Sequence, residues 1–225
     1  MTNSSTSILF LSGAGLPAWI WDGVRAELAG VDTRVAPRPD GGRHLRDYAD
    51  AALAAAAPGP FVIVAHSAGG VVAAEIARLA PERVAGVLAV SAAIPAVGGS
   101  FISAMPLPNR WILGLVLRFA GTKPPESAIR STLAHGIEPD VVQRLIDEFT
   151  PEPLGFYRDR VGEVPWNCPR GYLSTTGDKE LPPALQRTFA QRLGATWAAS
   201  LPTGHLPMLQ DPVGVARSVA AFAAA

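Results

Sequence analysis

The sequence predicts an α/β protein built on a mostly parallel sheet flanked by helices. Short apolar runs alternate along the chain with longer segments of helical periodicity. Each apolar run stops at small or chemically capable residues. With 225 residues, 48% of them hydrophobic, the chain can bury a sizeable core and is too apolar for disorder. Against a soft prior of about 150 residues per domain, that length corresponds to about 1.5 domains. One domain carrying an insertion is therefore expected.

The first strand, at 8–11, ends at Ser12-Gly13-Ala14-Gly15, and a helical pattern over 21–28 leads to a second strand at 33–36. Residues 45–57 are helical, and the third strand, 61–65, ends at His66-Ser67. The small and apolar residues of 68–79 read as the next helix, and the fourth strand, 84–90, ends at Ser91. Strand 171–175 ends at Gly177-Asp178, helix 182–193 follows, strand 196–201 runs into the loop holding His205, and helix 212–222 closes the chain. Pro182, Pro183 and Pro212 stand at helix starts, where a missing N–H costs nothing. Ligands of open parallel sheets bind beyond the carboxyl ends of the strands, so these junctions are where a site is expected.

Residues 92–166 break the rhythm. They show no strand alternation and carry helical patches at 109–120, 127–134 and 140–149. So long an excursion reads as a helical cap, with 1–91 and 167–225 forming the core.

Nineteen Lys and Arg balance nineteen Asp and Glu, and charged residues make up only 17% of the chain. Such a surface has no electrostatic footprint for a phosphate backbone or an anionic membrane, so neither nucleic acid nor membrane is expected as a partner. A small molecule fits better, and a charge-poor apolar surface makes a homodimer plausible. The single cysteine, Cys168, excludes an intrachain disulfide and a thiolate cluster. Residues 1–7 lack the positive charge and long apolar stretch of a secretory signal, and the Ala-rich stretches 51–57 and 220–225 are too short for a bilayer span. The expected location is cytoplasmic.

Chemistry concentrates at Ala65-His66-Ser67-Ala68-Gly69-Gly70. A strand of β-branched residues runs into Ser67 and a helix starts on its far side with no loop between. A serine on so tight a turn is strained, and the residues two places away on each side must be small, as Ala65 and Gly69 are. A helix N-cap would also place a serine at such a junction, but it explains neither the small flanks nor the missing loop. The N–H of Ala68, at the helix start, is placed to meet a developing oxyanion. That of Ala14, in the loop after the first strand, can pair with it, and Gly13 and Gly15 allow close backbone approach. Serine needs a base and the base needs an orienting group. His205, in the loop between the last strand and last helix, is the base candidate; Asp178 is the acid candidate, with Glu180 as fallback. His66 should point away from the serine and serve packing or hydrogen bonding. His44 and His135 read as exposed or at most substrate-facing, not as the base. No metal-ligand spacing competes with this set.

The chain order Ser67, Asp178, His205 matches the α/β-hydrolases and not the chymotrypsin or subtilisin types. L-S-G-A-G-L-P-A-W-I-W-D, A-H-S-A-G-G, T-L-A-H-G-I-E-P-D-V-V-Q-R-L and Y-L-S-T-T-G-D-K-E-L-P-P-A-L-Q-R further resemble the compact bacterial esterases related to plant methylesterases and hydroxynitrile lyases. The resemblance implies an α/β-hydrolase fold, a serine hydrolase with that triad, a helical cap and no cofactor. The chain begins directly with the strand bearing the oxyanion loop, which implies a six-stranded sheet. Ser12-Gly13 stands where the group usually has His-Gly. Leu206 and Gly13 stand where its hydroxynitrile lyases have a lysine and a threonine, which disfavours cyanohydrin cleavage.

The cap residues Phe101, Ile102, Met105, Leu107, Trp111, Ile112, Leu115, Val116 and Phe119 are apolar, so a small to medium, largely apolar substrate is expected. Phe101, Met105 and Trp111, with Gly13 and Trp19, are the candidate substrate contacts. Of Trp19 and Trp21, one is expected to line the acyl side and the other to anchor a helix. The expected reaction is hydrolysis of a carboxylic ester, lactone or thioester through an acyl-enzyme. The alternatives are a lyase or elimination enzyme using His205 and Asp178 as base, and a receptor without turnover.

Overall fold

The computed structural model describes residues 6–225, the side chain of Asn109 excepted. Most of the N-terminal stretch whose composition argues against a secretory signal thus lies outside the described residues. Six strands, β1 (Ser7–Leu11), β2 (Thr33–Val35), β3 (Phe61–Ser67), β4 (Val84–Ala92), β5 (Arg170–Thr175) and β6 (Trp197–Leu201), form one sheet in the order β2-β1-β3-β4-β5-β6. Every neighbouring pair is parallel. β1 and β3 are buried almost throughout, as strands covered on both faces must be, which explains their unbroken apolar runs. The edge strand β6 alternates between part-buried and exposed positions.

The strands are joined by α1 (Asp22–Glu27), α2 (Leu45–Ala55) and α3 (Gly69–Leu79) before β4, by α9 (Pro183–Leu193) between β5 and β6, and the chain closes with α10 (Pro207–Gln210) and α11 (Pro212–Ala223). Between β4 and β5 lie α4 (Phe101–Ala104), α5 (Asn109–Phe119), α6 (Glu126–Ala128), α7 (Pro139–Glu148) and α8 (Leu154–Arg158), with no strand among the described residues there. On one face Phe10, Val64, Leu88 and Leu173 pack against Trp21, Val24, Val219 and Phe222 of α1, α11 and the turn before α1. On the other, Leu9, Ile63 and Val87 meet α2 and α3, and Tyr172 meets Phe189 and Leu193 of α9.

Two helical patterns differ in detail from the periodicity. The stretch 21–28 is preceded by a 3-10 turn, Ala18–Trp21, that starts after Pro17. The stretch 127–134 is a short α turn running into a π-helical one, Ile129–Leu133, where the Thr132 hydroxyl bonds the Ala128 carbonyl at 2.9 Å. Among the described residues no helix is long and apolar enough to cross a membrane.

The sheet order sets the site. From β1 the chain steps outward to β2, then returns past β1 to β3, so the direction of winding reverses between β1 and β3. The crevice at such a reversal lies beyond the carboxyl ends of the two strands, where the loop Ser12–Gly15 and Ser67 stand.

Candidate active site

β3 ends in a forced turn. Ser67 has φ +52°, in the left-handed region that L residues avoid, at a register shift between β3 and β4. The neighbours must give way: a Cβ on Gly13 would stand 2.9 Å from the Ser67 Cβ, and one on Gly69 would stand 2.7 Å from the Leu11 carbonyl oxygen. Glycine at Gly70 lets α3 approach β4, since a Cβ there would come within 2.5 Å of the Ala93 carbonyl oxygen. Close packing of α3 on the sheet thus aims Ser67 into the crevice.

The structure brings the three separated polar residues together. Ser67 Oγ lies 3.0 Å from His205 Nε2, and His205 Nδ1 lies 2.8 Å from Asp178 Oδ2. His205 and Asp178 are buried. Asp178 is held on both oxygens: Oδ1 accepts the backbone N–H of Glu180 and Leu181, each at 2.8 Å, and Oδ2 also accepts the hydroxyls of Ser91 and Thr175, the latter at 3.0 Å. Burial pushes this carboxyl up, but the hydrogen bond and charge of His205, with the Ser91 hydroxyl and the Leu181 N–H, more than reverse it and bring it to about 2. Asp178 is therefore an anion at neutral pH. The Glu180 carboxylate is engaged by the Thr132 hydroxyl instead.

His66 lies against the back of this relay. Its Nε2–H donates to the His205 carbonyl oxygen at 2.7 Å, and the two rings are 4.8 Å apart. Full burial, aided by the neighbouring His205, pushes His66 down to about 3, so it is neutral. His44 and His135 are exposed, the former paired with Asp159.

Ala14 and Ala68 line the same cavity as Ser67 and His205. The loop carrying Ala14 is gripped from outside the sheet. Gly15 N–H donates to Glu152 Oε1 at 3.0 Å, and the Gly15 carbonyl accepts the Thr150 N–H at 3.1 Å. Gly15 has φ +74°, and the Phe149 ring occupies the place a Cβ would need. Glu152 is buried and held by Arg38 at 2.8 Å and by the Tyr48 hydroxyl. Burial and the adjoining Glu152 push the Tyr48 hydroxyl far above its ordinary range, so it stays a donor.

The cavity over Ser67 holds about 480 Å³ and is lined largely by apolar groups, among them Phe101, Met105, Leu117, Leu133 and Phe149. The other three candidate contacts lie elsewhere. Gly13 is buried beneath Ser67 and offers the cavity no side chain. Trp19 is turned outward by the 3-10 turn, its N–H bonded to Glu148 at 2.7 Å and its ring beneath the Arg144 guanidinium at 4.2 Å, while Trp21 is the buried anchor, bonded to Ser12 Oγ. Trp111 projects from the far side of α5 and is 65% exposed. Gln186 braces Thr175, a partner of Asp178, its side chain bonding both the N–H and the carbonyl of Thr175 at 2.9 Å; the sequence pattern singles out none of Ser91, Thr175, Gln186 and Glu152. Ser91 and Thr175 carry one legible sign, a hydroxyl at a strand end, whereas Gln186 and Glu152 carry none. Among the described residues no three His, Cys, Asp or Glu side chains gather as a metal would need.

Solved structures share this architecture. A pyrethroid hydrolase from Sphingobium faniae JZ-2 is 24% identical with a TM-score of 0.71, each chain covered to 98%. An extracellular alpha/beta-hydrolase from a Paenibacillus species, described as sharing structural and functional homology with tobacco salicylic acid binding protein 2, is 18% identical with a TM-score of 0.85, covering 96% of this chain and 98% of its own. Polyneuridine aldehyde esterase is 18% identical with a TM-score of 0.76, covering 96% and 99%. No curated protein sequence matches significantly. The sequence profile of the Alpha/beta hydrolase family matches residues 8–218, from inside β1 to well within α11, and this shows that the chain belongs to that family.

Proposed function

We infer that the protein hydrolyses a carboxylic ester, or a lactone or thioester, of a small to medium and largely apolar substrate through an acyl-enzyme. The observation that carries this reading is the continuous relay from Ser67 Oγ through His205 to Asp178 at the wall of an apolar cavity. Ser67 Oγ attacks the carbonyl carbon while His205 Nε2 takes its proton, and the imidazolium so formed is stabilised by the Asp178 anion. The developing oxyanion is met by the N–H groups of Ala14 and Ala68, a pair of donors each worth about 10²–10³ in kcat in such sites. His205 then returns the proton to the leaving oxygen or sulfur, the acyl group stays on Ser67, and a water activated by His205 releases it as the acid. The helices between β4 and β5 act as the cap that roofs the acyl site, with Phe101 and Met105 as substrate contacts. A hydrolase and an esterase among the structural neighbours agree with this chemistry.

A fluorophosphonate probe tests it. It should add one mass increment at Ser67, and Ser67→Ala should lose both the adduct and p-nitrophenyl ester turnover. An unlabelled Ser67 with turnover unchanged in the alanine variant would overturn the reading.

A further inference from the structure

Helix α5 has two working faces. Leu113 and Leu117 line the cavity over Ser67, whereas Trp111, Ile112, Leu115 and Phe119 face outward at 57–77% exposure. Amphipathic helices of globular proteins turn the apolar face inward, and a contiguous apolar surface left in water marks an interaction site. Beside this face runs an open groove of about 800 Å³ whose lining includes Trp111 and Leu115 together with Arg110, Arg118, Arg158 and Arg160. No acidic residue lines it.

The four arginines differ from the seven elsewhere in the chain that an acid neutralises. Arg25, Arg34, Arg38, Arg46, Arg78, Arg130 and Arg144 each pair with a carboxylate. None of the four in the groove does so among the described residues, and Asp159, between two of them in sequence, turns away to the His44 ring and the Leu45 N–H. Guanidinium groups without a carboxylate partner beside an apolar helix face, that of Arg118 lying over the Phe119 ring at 5.4 Å, match an assembly that offers phosphates and hydrocarbon together, because a guanidinium binds phosphate through paired N–H donors while the apolar face enters the acyl boundary. A second copy of this chain fits less well. A two-fold contact sets the same patch against itself and would bring the four cations of each copy face to face.

We propose that the outer face of α5, with its arginine-walled groove, docks on a negatively charged lipid–water interface. The balanced overall charge conceals this surface because the cations are gathered locally. Val116 gives the docking a use: it is 47% exposed on the outer face and also lines the cavity over Ser67, so an apolar substrate dissolved in lipid would meet the cavity wall where the helix touches the membrane.

Flotation of the 225-residue chain with phosphatidylglycerol vesicles tests the proposal, with phosphatidylcholine vesicles as control. The protein should float with the anionic vesicles at low salt, be released at high salt and ignore the zwitterionic ones. The Arg158→Glu/Arg160→Glu double variant should bind at least about 30-fold more weakly, and Leu115→Ser should also weaken binding. Both should keep the wild-type turnover of a soluble ester, a readout that reports on catalysis separately from docking. Absence of flotation with phosphatidylglycerol, or flotation undiminished by the charge reversals, would overturn the proposal. So would a dimer in light scattering that Leu115→Ser converts to monomer, which would assign the face to a second copy.

Discussion

Ser91 Oγ donates to Asp178 Oδ2, the same oxygen that faces His205 Nδ1, and Ser91 does so from a backbone φ of +43° while fully buried. A left-handed conformation costs a non-glycine residue about 1–2 kcal/mol, a strain such as folds retain at functional positions. Ser91→Gly and Ser91→Ala remove the same hydroxyl, but only glycine relieves the backbone. The glycine variant should therefore melt about 2–4 °C above the alanine variant. Both should lose about tenfold in kcat/KM, the equivalent of one hydrogen bond to a charged group. Both should also show an acidic limb moved to higher pH, since a hydrogen bond that favours the Asp178 anion is gone. Thermal melts and pH–rate profiles on the two variants read these effects separately.

Asp178→Asn should lower kcat by about 10³–10⁴ with the fold retained, because the amide cannot support the imidazolium or fix its tautomer. Glu180→Gln should leave kcat within about threefold, the cost of one exposed polar contact at most. Steady-state kinetics on the pair decide the acid: damage at Glu180 and tolerance at Asp178 would reverse the assignment.

Glu152 holds the loop of Ala14, the proposed oxyanion donor, through the Gly15 N–H. Glu152→Gln keeps an acceptor for that N–H, and Glu152→Leu does not. The leucine variant should lose about 10-fold or more in kcat with KM little changed, and glutamine should recover much of the loss, as expected for a donor that matters mainly in the transition state. Gly15→Ala, which needs both a positive φ and the space of the Phe149 ring, should be destabilised by about 3 kcal/mol or more. Urea titration of each variant separates the stability effect from the catalytic one.

His66 adds a pH dependence to stability. Its folded value, about 3, lies below the ordinary histidine value of 6.5. Between these limits the unfolded chain binds a proton there that the folded chain does not, so stability falls as pH drops, by about 1.4 kcal/mol per unit. Asp178 works in the same direction only between its unfolded value near 3.8 and about 2. Between pH 6 and 4.5 Asp178 therefore adds little, and the difference between wild type and a His66 variant reads the His66 part. Urea unfolding across that window should show a flatter pH dependence for His66→Gln than for wild type, and equal slopes would contradict the assignment.

The sheet was legible because its inner strands are buried on both faces and read as unbroken aliphatic runs, and because the turn at Ser67 forces small neighbours that sequence displays directly. Separation by 138 residues did not hide His205, since it follows a strand end as Asp178 does. What sequence left open are facts of orientation. Trp19 and Trp21 are indistinguishable as letters, and the tight turn between them sends one to α7 and the other into the core. Trp111 and Leu113 share one helix, and only the packing of α5 decides which faces the cavity. Glu152 left no mark because its partners, Gly15, Arg38 and Tyr48, are brought to it by the fold from three other places in the chain.

The contacts of Phe149, Thr150 and Glu152 with Gly15 make an interlock between the segment after α7 and the loop that carries Ala14. Any swing of that segment large enough to admit a substrate from above would drag Gly15 and disorganise the Ala14 donor beside it. On the proposed mechanism, opening and turnover would then be mutually exclusive states of one part, and water entering through an open roof would meet a serine without its full oxyanion support.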